Sequence, residues 1–115
     1  MSEMRIIIEP ISLDELQKIA EERFGDMVKA VVDVQKQIMA IGGELHADEE
    51  ALLLEQGSKQ DDLWGINIYP DEAPEKQIEF DSMINLRPRQ GNRSRSVEDA
   101  EIRRKIEEIV RALIK

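Results

Sequence analysis

The sequence predicts an α+β fold, a two-layer sandwich in which a mostly antiparallel sheet carries two amphipathic helices on one face. Three observations lead there. Two segments, 13–24 and 97–114, set apolar side chains at helical spacing behind capping residues. Between them lie short runs that alternate apolar and polar residues, as strands with one buried face do. Glycines and prolines separate these runs.

Met4–Ile8 reads as a first strand. Its contiguous Ile6, Ile7 and Ile8 suit burial on both faces, and Pro10 ends it. Ser12 and Glu15 have the spacing of a capping box, with Ile11 and Leu16 placed as a hydrophobic staple. Leu13, Leu16, Ile19, Ala20 and Phe24 then form one helical stripe, and Gly25 is a natural stop. Residues 27–41 read two ways. As a hairpin, Val28, Ala30, Val32 and Val34 alternate, a turn falls near Gln35–Gln37, and Ile38–Ile41 returns. As a helix, Met27, Val31, Val34, Ile38 and Ile41 share a face. The valines favour the hairpin, although its turn lacks glycine or asparagine.

Gly42-Gly43 breaks the chain, Glu44–Glu50 reads as polar and irregular, and Ala51–Glu55 as a strand. Gln56–Asp62 suits a loop. Leu63–Tyr69 reads as a strand with Trp64, Ile66 and Ile68 on one face and Asn67 and Tyr69 on the other. After a turn at Pro70–Lys76, Gln77–Leu86 alternates most clearly, implying a sheet with one face on a core and one nearly open. The final helix, 97–114, is read with Ser96 and Asp99 as its capping pair. Asp99–Arg103, Glu101–Lys105 and Glu107–Arg111 stand as its i,i+4 ion pairs.

No repeat, low-complexity tract or linker divides the 115 residues, so one domain, 1–115, is expected. The absence of cysteine excludes disulfides, thiolate metal sites and cysteine nucleophiles, and a single histidine excludes a multi-histidine metal site within one chain. No apolar run approaches the ~20 residues of a membrane span. The opening Met1–Glu9 is too short and acidic for a signal peptide, so a soluble cytoplasmic protein is expected. The net charge of −9 divides unevenly: −13 over residues 1–86 and +4 over 87–115. An acidic body argues against non-specific nucleic-acid binding. The basic third could bind an anion or pair with acids of its own chain or a partner.

Three blocks point to a family. Residues 42–50 (GGELHADEE), 64–70 (WGINIYP) and 79–95 (EFDSMINLRP with GNRSR) resemble the signature blocks of small prokaryotic proteins grouped as a domain of unknown function. The resemblance spans nearly the whole chain. It implies a free-standing single-domain protein and assigns no activity, cofactor or site.

The candidate sites come from the residues themselves. Arg87, Arg89, Arg93 and Arg95, with Asn92 and Gly91, form a basic loop ahead of a helix start. Guanidinium forks match phosphate and carboxylate, and the loop could hold either. The competing reading, which carries more weight, pairs these arginines with the chain's own acids, Asp81 and Glu79 among them. His46, Asp48 and Asp81 could make a mixed nitrogen–oxygen metal site, against the plainer reading of a solvated acidic loop. Trp64 reads as core, while Asn67 and Tyr69, beside Asp81 and Asn85, could line a polar groove. Ser58, Ser82 and Ser94 have no visible base, and no pattern names a cofactor.

Three functions follow. The first is a non-catalytic protein whose arginine loop holds a phosphate, nucleotide, RNA or acidic segment. The second is a metal-dependent hydrolase or nuclease built on His46, Asp48 and Asp81, so whether the protein is an enzyme stays open. The third is a structural or interaction protein acting as a homodimer, a homo-oligomer being the expected state.

Overall fold

The computed structural model describes residues 4–115, so the first three residues of the opening read above, Met1–Glu3, lie outside it. Five strands form one antiparallel sheet in the order β1-β3-β2-β4-β5. They are β1 (Arg5–Ile7), β2 (Val28–Asp33), β3 (Ile38–Ile41), β4 (Leu63–Ile68) and β5 (Ile78–Glu79). Helices α1 (Leu13–Arg23) and α3 (Ala100–Leu113) pack on one face, and α2 (His46–Glu55) on the other. The fold is α+β, with the expected pair of amphipathic helices sharing a face.

The hairpin reading of residues 27–41 is the correct one. Its turn works without glycine because Asp33 does the anchoring. This fully buried carboxylate accepts from the amides of Gln35 and Lys36, both at 2.9 Å, and from Ser58 Oγ at 2.6 Å. Gln37 then takes the left-handed φ of 60° that the turn needs. Along β2 and β4 the pleat sends Val28, Ala30, Val32, Trp64, Ile66 and Ile68 toward α1 and α3, where Leu16, Ile19, Ile106 and Val110 meet them. Val31, Ala40 and Leu63 face Leu53 of α2.

Ser12 caps α1 as its spacing implies, its Oγ accepting from the Glu15 amide at 3.1 Å. Ile11 and Leu16 are both buried. The amide of Ile11 donates to Leu113 O at 2.8 Å, and that of Lys115 to Ile11 O at 2.9 Å, so the end of the chain is latched to the entry of α1. The last helix begins later than expected. Asp99 alone is its cap, accepting from Glu101 and Ile102 amides. Ser96 instead accepts from Arg103 Nη2 at 2.7 Å, and the surface ion pairs run from Arg104 to Glu101 and Glu108.

Two expectations are corrected. Residues 44–55 are not an irregular stretch and a strand: His46–Glu55 is one helix. Its buried face is His46, Glu49 and Leu53, spaced by three and four, so two of the three inward residues are polar and the apolar period is broken. Glu49 has no exposed surface, and burial raises its carboxyl to about 9, against the pull of the Gly43 amide. A neutral acid serves here as a core residue. The strand expected over Gln77–Leu86 is shorter too. Only Ile78–Glu79 pairs with β4, and Met83–Asn85 is a 3-10 turn capped by Ser82. The cause lies in β4. A Cβ on Gly65 would stand 2.6 Å from Ser82 Cβ, so the glycine admits the crossing chain. Asn85 then occupies the edge a strand would have used, its Oδ1 accepting from Gly65 N at 2.8 Å and its Nδ2 donating to Gly65 O at 2.9 Å.

Candidate functional site

The arginine loop is built around Asn92, which is almost fully buried. Its amide nitrogen donates to the carbonyls of Asn85 and Ser96, each at 2.7 Å, and to that of Ser94 at 3.1 Å, while its oxygen accepts from the Glu98 amide at 2.8 Å. Gly91, at φ 81°, closes the turn. Arg87 is equally structural. Its guanidinium stacks on Trp64, 4.1 Å from the ring centroid, and donates to Gln60 O and, at 2.6 Å, to Leu63 O. Burial lowers its pKa, against the neighbouring Glu50 and Asp61.

The other guanidinium groups go separate ways. Arg89 meets Asp61 at 3.4 Å on the surface. Arg93 is exposed, and its backbone amide donates to Glu98 at 3.0 Å. Arg95 donates from Nε to Asp81 Oδ1 at 2.7 Å. The loop is thus a folded strut, and only Arg95 turns to the sheet edge.

There a cavity of about 330 Å³ opens between the start of α2 and the ends of β2, β4 and β5. The antiparallel register places Lys29, Asn67 and Glu79 side by side on the three strands, in one row on the α2 side of the sheet. His46, Tyr69, Asp81 and Arg95 also line it. Glu79 Oε1 accepts from Asn67 Nδ2 at 2.8 Å and from the Tyr69 hydroxyl at 3.2 Å. Burial, then Glu79, raises the Tyr69 pKa. His46 Nε2 lies 2.8 Å from Ile66 O; a carbonyl only accepts, so Nε2 carries the proton and Nδ1 of the neutral ring is left as an acceptor. Burial lowers the pKa of His46 and Lys29 adds to this, while the Ile66 carbonyl, Asp81 and Asn67 oppose it.

Of the three proposed metal ligands, His46 and Asp81 share this cavity, but Asp48 lines another hollow with Arg23, Gly43 and Glu44. Among the described residues no three His, Asp or Glu side chains are grouped to hold a metal ion. Asn67, Tyr69 and Asp81 do line a polar groove, as the sequence suggested, whereas Asn85 is buried on Gly65 beneath it. The sequence reading missed Lys29, and it saw in Glu79 only a partner for arginine. The strand register alone sets both beside Asn67.

Fold and groove together define a small α+β protein with a polar cavity at a sheet edge and no helix, among the described residues, long and apolar enough to cross a membrane. The chain belongs to the DUF5674 family, proteins of unknown function, whose family model matches residues 5–113. Comparison with curated proteins and with solved structures returns no match in either case.

Proposed function

We propose that this chain is a non-catalytic binding protein that holds a small ligand in the sheet-edge groove by an anionic group of that ligand. The observation that carries the reading is the state of Arg95. Its Nε is fixed by Asp81, while its terminal nitrogens make no hydrogen bond to a described residue. This leaves a planar donor fork, held in place and open for a carboxylate or phosphate oxygen. Lys29 supplies a second cation, which rests over the Phe24 ring at 5.3 Å and makes no salt bridge to a described residue, although its charge acts on the Glu49 carboxyl. The cavity, about 330 Å³, falls at the small end of the ~300–1,000 Å³ typical of ligand sites. Arg87 and Asn92 serve the site by rigidifying the loop that delivers Arg95.

The test is an amide-resolved NMR titration with small carboxylates, amino acids and phosphates. Binding moves the amide signals of Lys29, His46, Asn67 and Arg95 together, and Arg95→Gln weakens it by about tenfold or more. A panel in which no compound perturbs those amides overturns the reading.

A further inference from the structure

β1 is the outer strand at one end of the sheet: it pairs with β3 and with no other described strand. Proteins blunt such an edge with charge, proline or a covering element, because its unpaired backbone groups invite another strand. Here the chain runs Met4-Arg5-Ile6-Ile7-Ile8-Glu9 before Pro10 closes it. Ile8 is 68% exposed, more than any other large apolar side chain among the described residues, and Met4 is open to solvent as well. Alternation puts Ile6 and Ile8 on the α2 face and Arg5, Ile7 and Glu9 on the α1 face. Arg5 agrees with this, since its Nη1 meets Glu15 of α1 at 2.7 Å.

We propose that β1 pairs antiparallel with β1 of a second copy about a two-fold axis at Ile7, which joins the two sheets into one. The charges set both the occupant and the register. Arg5 and Glu9 stand two residues to either side of Ile7, so the same segment reversed brings Arg5 of each chain opposite Glu9 of the other. Glu9 is exposed and makes no ion pair with a described residue of its own chain, while Arg5 commits only Nη1 to Glu15. On the other face the same register lays Ile8 beside Ile6 of the second copy and covers it. A shift by one residue would separate the opposite charges and turn the isoleucines to the wrong face. Pro10, which lacks an N–H, ends the ladder. The ligand groove lies toward the opposite edge, at β5, so this pairing leaves it open and stands apart from the binding role above. The strand is short, and the dimer belongs with the small, weakly held interfaces that form at high concentration.

Sedimentation equilibrium on the full chain, from about 1 μM to about 1 mM, tests it. The parent passes from monomer toward dimer over that range. Ile8→Lys, which puts a charge on the edge, stays monomeric throughout with an unchanged Tm. Arg5→Glu and Glu9→Arg each set two like-charged pairs across the axis, and each weakens self-association about tenfold or more. An equimolar mixture of these two variants associates again, because every facing pair in the mixed dimer is of opposite sign. A parent that is monomeric at about 1 mM, association that survives Ile8→Lys, or a mixture that associates no better than its two components overturns the proposal.

Discussion

Asn85 lies on Gly65 as a strand residue would, giving both a donor and an acceptor to the backbone of β4 from one side-chain amide. Its Nδ2 also reaches Arg95 O at 2.9 Å, so the same side chain ties the sheet edge to the arginine loop. Asn85→Ala orphans the Gly65 amide, the Gly65 carbonyl and one bond to Arg95. The expected loss is on the order of 3 kcal/mol, read as a lower urea midpoint with unchanged m. Gly65→Ala fails for a different reason, since the added Cβ would stand 2.6 Å from Ser82 Oγ and the segment would have to move. Either change should also disorder Arg95, and NMR shifts at Asp81 and Arg95 would report it.

This pair explains why the last strand is shorter than its alternation implies. Alternation over Gln77–Leu86 is real, yet strand pairing needs a free backbone edge on both partners. Asn85 takes the edge of Gly65, and a side chain that imitates backbone leaves no periodic trace. The helix at His46–Glu55 was hidden by the reverse problem: its inward face contains an imidazole and a carboxyl, which pattern reading assigns to solvent. Both long helices were legible because their stripes are purely aliphatic. In the groove, Asn67, Tyr69 and Asp81 could be seen as neighbours along two strands. Lys29 could not, because its place beside Asn67 depends on the register of β2 against β4.

Glu49 makes stability depend on pH. Its carboxyl is raised from 4.5 to about 9 in the fold, while in the unfolded chain it titrates near its ordinary value. Between those limits unfolding releases a proton, so stability is greatest below pH ~4.5 from this group and falls as pH rises toward 9. The slope is up to ~1.4 kcal/mol per pH unit. Glu49→Gln keeps an acceptor for the Gly43 amide and cannot ionise. The variant is therefore more stable than the parent at pH 8 and has a flatter Tm-against-pH profile over pH 5–9. A parent profile with the same slope as the variant would refute a neutral Glu49.

Arg87 and Arg89 are two residues apart and should behave oppositely. Arg87→Lys loses the planar stack on Trp64 and the paired donation to Gln60 and Leu63 carbonyls. A loss of ~1–3 kcal/mol is expected, with a change in tryptophan fluorescence, since Trp64 is the chain's one tryptophan. Arg89→Ala breaks an exposed pair with Asp61 and an exposed hydrogen bond to Gln60 Oε1, and its effect on the urea midpoint should lie within ~0.5 kcal/mol.

His46 carries the opposite pH dependence from Glu49. Burial holds its pKa below 6.5, so the folded state takes up its proton later than the unfolded chain does. The stability from neutral His46 is present above pH ~6.5 and is lost as pH falls through the folded value. As the only histidine, its ring protons can be followed directly by NMR, and their titration midpoint should lie below 6.5. His46→Gln can place a side-chain N–H near the Nε2 position, keeping the donation to Ile66 O while removing the titration. His46→Ala leaves that carbonyl without its side-chain donor, at a cost of ~1–3 kcal/mol. The two variants therefore separate the roles: Gln should abolish the acid-side loss with little change at pH 8, and Ala should destabilise at both pH values. A ring titration at or above 6.5 would mean that the imidazole is not held in the buried, Ile66-bonded position.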